Sequence, residues 1–505
     1  MTDLNTIAST FSTEEQHQFI KYLEKKNKRN DTKNIQLFKL LASENLSSKD
    51  VCKAIYKNDN KVAYHALRKR LYQSLIDFIA NTSLEDENSI DMQIIKYVLA
   101  SRTFLINNQF KIAYDILDKA EGLAEEHSLF PILNEIYHTK IQYAYLNPSA
   151  DINTLISKFK ANQKNQFLEE ELNMVYAKIR QTLNNMTYKG EVLDFQTILN
   201  NTLAEHNISV TDSMSFKSLY QLMKIVSISA FVTNDYLKIE PFLLSTYSKI
   251  ESHKLKDKQL YYHIQIVYMI ANTLFRNKKF ESSLSYLDLM KSLMEKQRRK
   301  HYKTFQQKHK LLLALNQNYS GFQKEAIACL ENFKPSKYED IESALDIQLS
   351  LVMFYMQSSR FKDAAQIFSK FYHTDQYYTE KAGREWVLKK NLMEIILHIE
   401  LGHIDLVESR LLSFKRHYYA YLKQINQDRV ITYLKLVTQY YKHPELVTSS
   451  TFKTKVETSF NWIEAQQEDI FVMSFYAWLK SKMEDKPLYH TTLQLVNTVN
   501  TLNKS

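Results

Sequence analysis

Along most of this 505-residue chain one arrangement returns about every 42 residues: an apolar-periodic segment, a short polar turn and a second apolar-periodic segment. It is clearest from Tyr262 to Met290. There Ile266, Met269, Ile270 and Leu274 recur at helical steps before the turn Arg276-Asn277-Lys278-Lys279, and Phe280, Leu284, Leu287 and Met290 recur after it. Ala271 and Ser283 are the small residues where two such helices would come closest. The second helix of each hairpin opens at Phe110, Ile152, Leu193, Tyr236, Phe280, Phe322, Phe361 and Ile404. A chain patterned this way buries each hairpin against the next, so its core can grow end to end beyond the size of one globular domain.

Composition points the same way. Five glycines and six prolines fall far below the ordinary shares of roughly 7% and 5%. With so few breakers the segments between turns run on as long helices, and the expected class is all-α. Cys52 and Cys329 belong to no CxxC pair and suggest two reduced thiols rather than a disulfide or zinc framework. The opening residues show no basic, apolar and cleavage-site succession, and no window is long and apolar enough to span a bilayer. A cytoplasmic location is expected.

Residues 1–85 follow another rhythm and are expected to form a small helical head domain. Ser12 with Glu15, and Ser47 with Asp50, have the spacing of helix caps. A long fourth helix from Val62 to Ala80 carries the apolar stripe Leu67, Leu71, Leu75 and Phe78 or Ile79. Ser83 to Ser89 reads as an acidic linker. The turn Lys57–Asn60 followed by a helix containing Arg68-Lys69-Arg70 also has the outline of a helix-turn-helix, but the turn has no glycine and the helix is amphipathic throughout, as in a packing element. The repeats are expected over 90–445. Two aromatic-rich helices, the second with Phe471, Phe475, Trp478 and Leu479, cover the end of the array as a divergent cap over 446–505.

The spacings Phe110-x2-Ala113-x3-Leu117-x2-Ala120 and Phe361-x2-Ala364-x3-Phe368-x2-Phe371 resemble the second helix of a tetratricopeptide repeat, and Ala271-x2-Leu274 and Ser101-x2-Phe104 resemble its first helix. The unit here is longer than the standard 34 residues and mostly lacks the usual tryptophan, glycine and proline. The resemblance implies an α-solenoid, a right-handed superhelix of hairpins whose first helices line the concave wall. It implies nothing about the ligand. The chain as a whole is similar to bacterial repeat proteins with a helical head.

No glycine-rich phosphate loop, nucleophile elbow or HExxH motif is present, so no enzyme activity and no cofactor are expected. Glu394, His398, Glu400 and His403 come nearest to a metal constellation, but they read as core and surface residues rather than a site. The net charge of +10 concentrates in residues 291–310, where Lys296, Arg298, Arg299, Lys300 and Lys303 form a basic patch. The expected function is a scaffold that holds a protein or peptide partner, acidic in character, in its concave face. On the central hairpin Gln265, Tyr268, Asn272 and Arg276 would face that partner, with Lys310 and Asn318 from the next first helix. Asn272 would bond an extended backbone, while Arg276 and Lys310 would meet a carboxylate. The alternative is a nucleic-acid-associated regulator that uses the basic head and the 291–310 patch.

Overall fold

A computed structural model describes residues 4, 11, 13–26, 33–43, 48–57, 60–86, 90–147, 150–189, 195–206, 215–233, 235–251, 259–332, 341–459 and 468–502. Among them are 24 α-helices and no strand. The chain divides into two compact units, residues 1–159 and 160–505, with the division inside one helix, Ile152–Asn184.

The first unit begins with α1 (Thr13–Lys26), α2 (Lys33–Ser43), α3 (Ser48–Tyr56) and α4 (Lys61–Asp86). They close around their own core of Phe19, Leu23, Leu37, Phe38, Val51, Cys52, Leu67, Leu71 and Leu75. Phe19 meets Phe38 edge-on at 4.7 Å and Phe78 at 5.1 Å. The stripe on α4 therefore ends in Phe78, which is buried, and not in Ile79, which is exposed. The acidic stretch after it differs from the expected linker. Residues 83–86 continue α4, because nothing between Lys61 and Asp86 is a helix breaker; 87–89 lie outside the described residues.

Next in this unit come α5 (Ile90–Ile106), α6 (Phe110–Glu126) and α7 (Phe130–Tyr143). Ala113, Leu117, Ala120 and Ala124 of α6 are wholly buried, and the small side chains let α5 approach closely. Polar groups take the remaining face of α6. The ammonium of Lys140, 3% exposed, is held between Glu121 and Asp118, and Lys158 reaches Glu121 at 2.6 Å.

The second unit contains most of α8 (Ile152–Asn184), then α9 (Phe195–Glu205), α10 (Phe216–Thr233), α11 (Tyr236–Glu251), α12 (Leu260–Arg276), α13 (Phe280–Arg299), α14 (Tyr302–Tyr319), α15 (Gln323–Glu331), α16 (Ile341–Gln357) and α17 (Phe361–Phe368). A short α18 (Asp375–Ala382) precedes α19 (Arg384–Glu400), α20 (Ile404–Gln424), α21 (Asp428–Lys442), α22 (Ser450–Ser459), α23 (Ile470–Glu484) and α24 (Leu488–Leu502). Six of the eight expected second-helix openings, Phe110, Ile152, Tyr236, Phe280, Phe361 and Ile404, are first residues of helices. Phe322 is the residue before one, and Leu193 lies outside the described residues.

Within this unit α10 packs on α12, α12 on α14, α14 on α16 and α16 on α19, besides the pairing inside each hairpin. The sequence period appears as contact: Ser227 on α10 meets Met269 on α12, 42 residues on, and Asn318 on α14 meets Gln357 on α16, 39 residues on. Helices connected through an intervening antiparallel partner run the same way, so equivalent positions of successive hairpins touch. Inside the central hairpin, Ser283 donates its hydroxyl to the Ala271 carbonyl at 2.8 Å, and both residues are fully buried. That bond requires the two backbones to lie close, which only small side chains permit.

Ala113 and Ala364, both 0% exposed, occupy the matching position in their own hairpins. Replacing either with Leu is expected to overpack the contact and cost about 1–3 kcal/mol. Thermal unfolding of Ala113→Leu and Ala364→Leu checks it; two unchanged midpoints would show that neither helix pair is close-packed there.

Candidate interaction surface

One face of α12 carries Tyr261, Gln265, Tyr268, Asn272 and Arg276, spaced by four, three, four and four residues. Side chains at such steps share a stripe, and the other faces of α12 are core: Ile264, Ile266, Val267, Ile270, Ala271 and Leu274 are all buried. The stripe does not look out onto open solvent. Tyr268 is half-buried, and burial followed by the nearby Asp346 carboxylate pushes its phenol up to about 12. Arg276 is half-buried and bonds the Asp469 carboxylate, with its guanidinium 5.7 Å from the Tyr236 ring.

Asp469 does two jobs. One oxygen accepts from the backbone amides of Phe471 and Val472 at 2.9 and 3.3 Å, capping α23; the other meets Arg276. Burial alone would push its carboxyl up, but Arg276 and Lys389 more than offset this and hold it below its ordinary value. Lys389 on α19 pairs with Glu385 at 2.6 Å and stands 5.1 Å from the Phe471 ring. The Glu385 side chain is 64% exposed, and the Lys389 ammonium beside it, more than offsetting burial, holds its carboxyl below the ordinary value. These charges meet where α12, α19 and the start of α23 come together.

The segment 468–489 is fixed by polar contacts to four first helices or their turns. Lys278 donates to the Glu468 carbonyl at 2.8 Å, and Arg429 to the Glu468 carboxylate at 2.7 Å. Tyr319 and Ser474 exchange a bond at 2.9 Å, and Trp478 and Lys482 both reach Glu400. Tyr433 donates to the Phe475 carbonyl at 2.9 Å and Tyr489 to the Asn318 carbonyl at 2.7 Å. Nine of the fifteen residues of α23 are buried, including Ile470, Met473, Phe475, Trp478 and Leu479.

Four of the expected residues thus share the α12 stripe and the other two do not join it. Gln265 is 9% exposed and its amide is 3.5 Å from the Tyr261 hydroxyl. Asn272 is half-buried beside Tyr268. The carboxylate that Arg276 meets belongs to this chain. Asn318 is fully buried and its amide is committed to Gln357 at 2.8 Å. Lys310 lies on the side of α14 that packs on α15, where its carbonyl is 3.9 Å from Cys329 Sγ. The middle of the polar turn 276–279 is interior: Asn277 and Lys278 are 3% and 1% exposed, and Asn277 bonds Tyr236 and Glu240. Sequence missed this because the residues it buries against, Glu468 and Asp469, come some 190 positions later.

The basic patch is the break between two hairpins. Regular helix stops at Glu295; Lys296 is extended, Gln297, Arg298 and Arg299 have φ of 49°, 53° and 64°, and α14 follows. Three consecutive left-handed residues with side chains cost about 1–2 kcal/mol each. Lys296, Arg298, Arg299, Lys300 and Lys303 are all exposed. Arg299 bonds Glu295 at 3.3 Å and lies over the Tyr302 ring at 4.6 Å. Of the four metal candidates, Glu394 is held by Arg410 at 2.8 Å and Glu400 is turned to Trp478 and Lys482. His398 and His403 are ring to ring at 3.2 Å.

A cavity of about 330 Å³ opens beside α18, α19 and α20. Asp375 there accepts from Lys390, Asn391 and Tyr418, while Glu394 accepts from Arg410. Two cations and two carboxylates satisfy one another, so the cavity offers no net charge to a ligand. No protein-family model matches the chain, and no curated protein matches it.

The buried turn makes stability depend on pH. Burial, only partly opposed by Asp469 and Glu468, pushes Lys278 from 10.5 down to about 8. A lysine depressed in the fold carries its full cost at lower pH. That cost is relieved as pH rises through about 8, while the unfolded chain keeps its proton up to 10.5. Lys278→Met is therefore expected to flatten the rise in stability between these limits. Denaturant midpoints measured at several pH values check it, and parallel profiles for wild type and variant would refute it.

Proposed function

We propose that this protein is a binding scaffold, not an enzyme, and that residues 160–505 form a tetratricopeptide-like, right-handed solenoid whose first helices make the binding wall. The observation that carries the reading is the seat of 468–489 on that wall. A helix capped by an aspartate is held there by a cation of a first helix, which is how such a wall would hold a partner. In-register contacts between α10, α12, α14 and α16 support the repeat architecture. The partner is a protein or peptide segment of acidic character, and the site of action is the cytoplasm. Tyr268 and Asn272 are the wall residues that hold it, since Arg276 is engaged with Asp469.

Recovery of partners from the native cell, followed by titration of the purified complex, tests this. Tyr268→Phe with Asn272→Ala is expected to weaken the partner's binding by about tenfold or more while the melting temperature is kept. Affinity within twofold of wild type would place the partner elsewhere.

One observation favours a second reading, nucleic-acid association: the five cations of the 296–303 break are all exposed. Reversing Arg298, Arg299, Lys300 and Lys303 to Glu should abolish salt-dependent retention on heparin and RNA if the break binds polyanions. Equal retention would leave it a solvated connection.

A further inference from the structure

The wall continues beyond the reach of α23, and there its charges are unmatched. Arg180 on α8, Lys224 on α10 and Lys308 on α14 are half-buried. Each stands one helical turn from an aromatic residue on its own helix: Tyr176 before Arg180, Tyr220 before Lys224 and Phe305 before Lys308. The rings connect the helices. Tyr220 lies 5.2 Å from Tyr262, and Tyr261, at 5.5 Å from Tyr262, is 5.4 Å from Phe305. The register that brings Ser227 to Met269 and Phe275 to Tyr319 places Lys224, Gln265 and Lys308 within two residues of one level, on three neighbouring helices.

Among the described residues Arg180, Lys224 and Lys308 make no ion pair, although the second unit is otherwise rich in them. The Lys224 ammonium is pushed from 10.5 down to about 8 by burial, then by Lys308 and by Arg180, with only the Glu342 carboxylate acting the other way. Three half-buried like charges that act on one another destabilise the fold, and an anion placed among them removes that cost. The same wall shows what meets such cations at its other end. Arg276 and Lys389 are matched by Asp469, a carboxylate on a segment that lies across the first helices.

We infer that Arg180, Lys224 and Lys308 are the docking point for acidic side chains of a partner peptide, lying across α8, α10, α12 and α14 beside the Tyr220–Tyr262–Tyr261–Phe305 rings. This deepens the scaffold reading and rests on it: it fixes where on the wall an acidic partner is held and by which charges. It differs from the expected contacts at Arg276 and Lys310. The first already has a carboxylate, and the second lies toward α15. Two or more carboxylates are needed to match three cations partly offset by Glu342, so the partner presents clustered Asp or Glu in mid-segment.

The test uses the full chain and a fluorescein-labelled hexaglutamate peptide. Carbodiimide coupling of the bound peptide to wild-type protein, mapped by mass spectrometry, should place the amide bonds on Lys224 or Lys308, and added salt should suppress them. In anisotropy titrations Lys224→Gln with Lys308→Gln should weaken hexaglutamate by about tenfold, whereas Arg298→Gln with Arg299→Gln should leave it unchanged. The first pair should not lower the melting temperature, since it removes mutual repulsion. Cross-links confined to residues 291–303 would overturn the inference, as would affinity unchanged in the first pair. Inorganic phosphate that protects Lys224 from acylation while hexaglutamate does not would overturn it too, in favour of a free anion. Cross-links to other lysines of the same wall, such as Lys389, would overturn this docking point while leaving the scaffold reading intact.

Discussion

Close approach of paired helices is the constraint on which the rest of the molecule depends. Where Ser283 reaches the Ala271 carbonyl, the two backbones are within a hydroxyl's length, and every larger side chain must find room above or below that point. The same demand puts Ala113 and Ala364 at full burial in their own hairpins. Once the small residue is fixed, helical geometry decides what lies on each face. The apolar rows go to the hairpin partner and the next hairpin, and the row Tyr261, Gln265, Tyr268, Asn272 and Arg276 is left to make a polar wall.

That wall is built from groups that are expensive to bury. Arg276 and Lys389 hold Asp469 ionised, the aspartate that caps α23 supplies the negative charge, and Lys278 beside them is pushed toward its neutral form by burial. A structure that removes one partner from such a set is left with an uncompensated charge in a confined space, which costs more than the intact set returns. The wall at Arg180, Lys224 and Lys308 lacks this compensation, and the difference between the two ends gives the surface its polarity.

How much of this the sequence carried depends on the range of the interaction. Helix openings at Phe110, Tyr236, Phe280, Phe361 and Ile404 were legible because periodicity and a short turn are local signals. The α4 stripe through Leu67, Leu71 and Leu75 was legible for the same reason. The extension of α4 through residues 83–86 was not, because acidic composition resembles a linker when no breaker marks the end. The burial of Asn277 and Lys278 was invisible, since a polar turn has the same composition whether water or Glu468 meets it. Lys308 was seen only as one charge of the 291–310 run. Its separation from Lys310 depends on two residues of helical phase, 200° apart, which the sequence shows only after the neighbouring helices are in place.

The Asp469–Arg276 contact also has a consequence in time. Asp469 leaves the ribosome roughly 190 residues after the turn it neutralises, a delay of about ten to forty seconds at ordinary rates of synthesis. For that interval the central hairpins exist with their cationic turn uncovered and with the greasy trough that α23 will fill still open. Anything that engages that surface first does so in competition with a segment that has not yet been made.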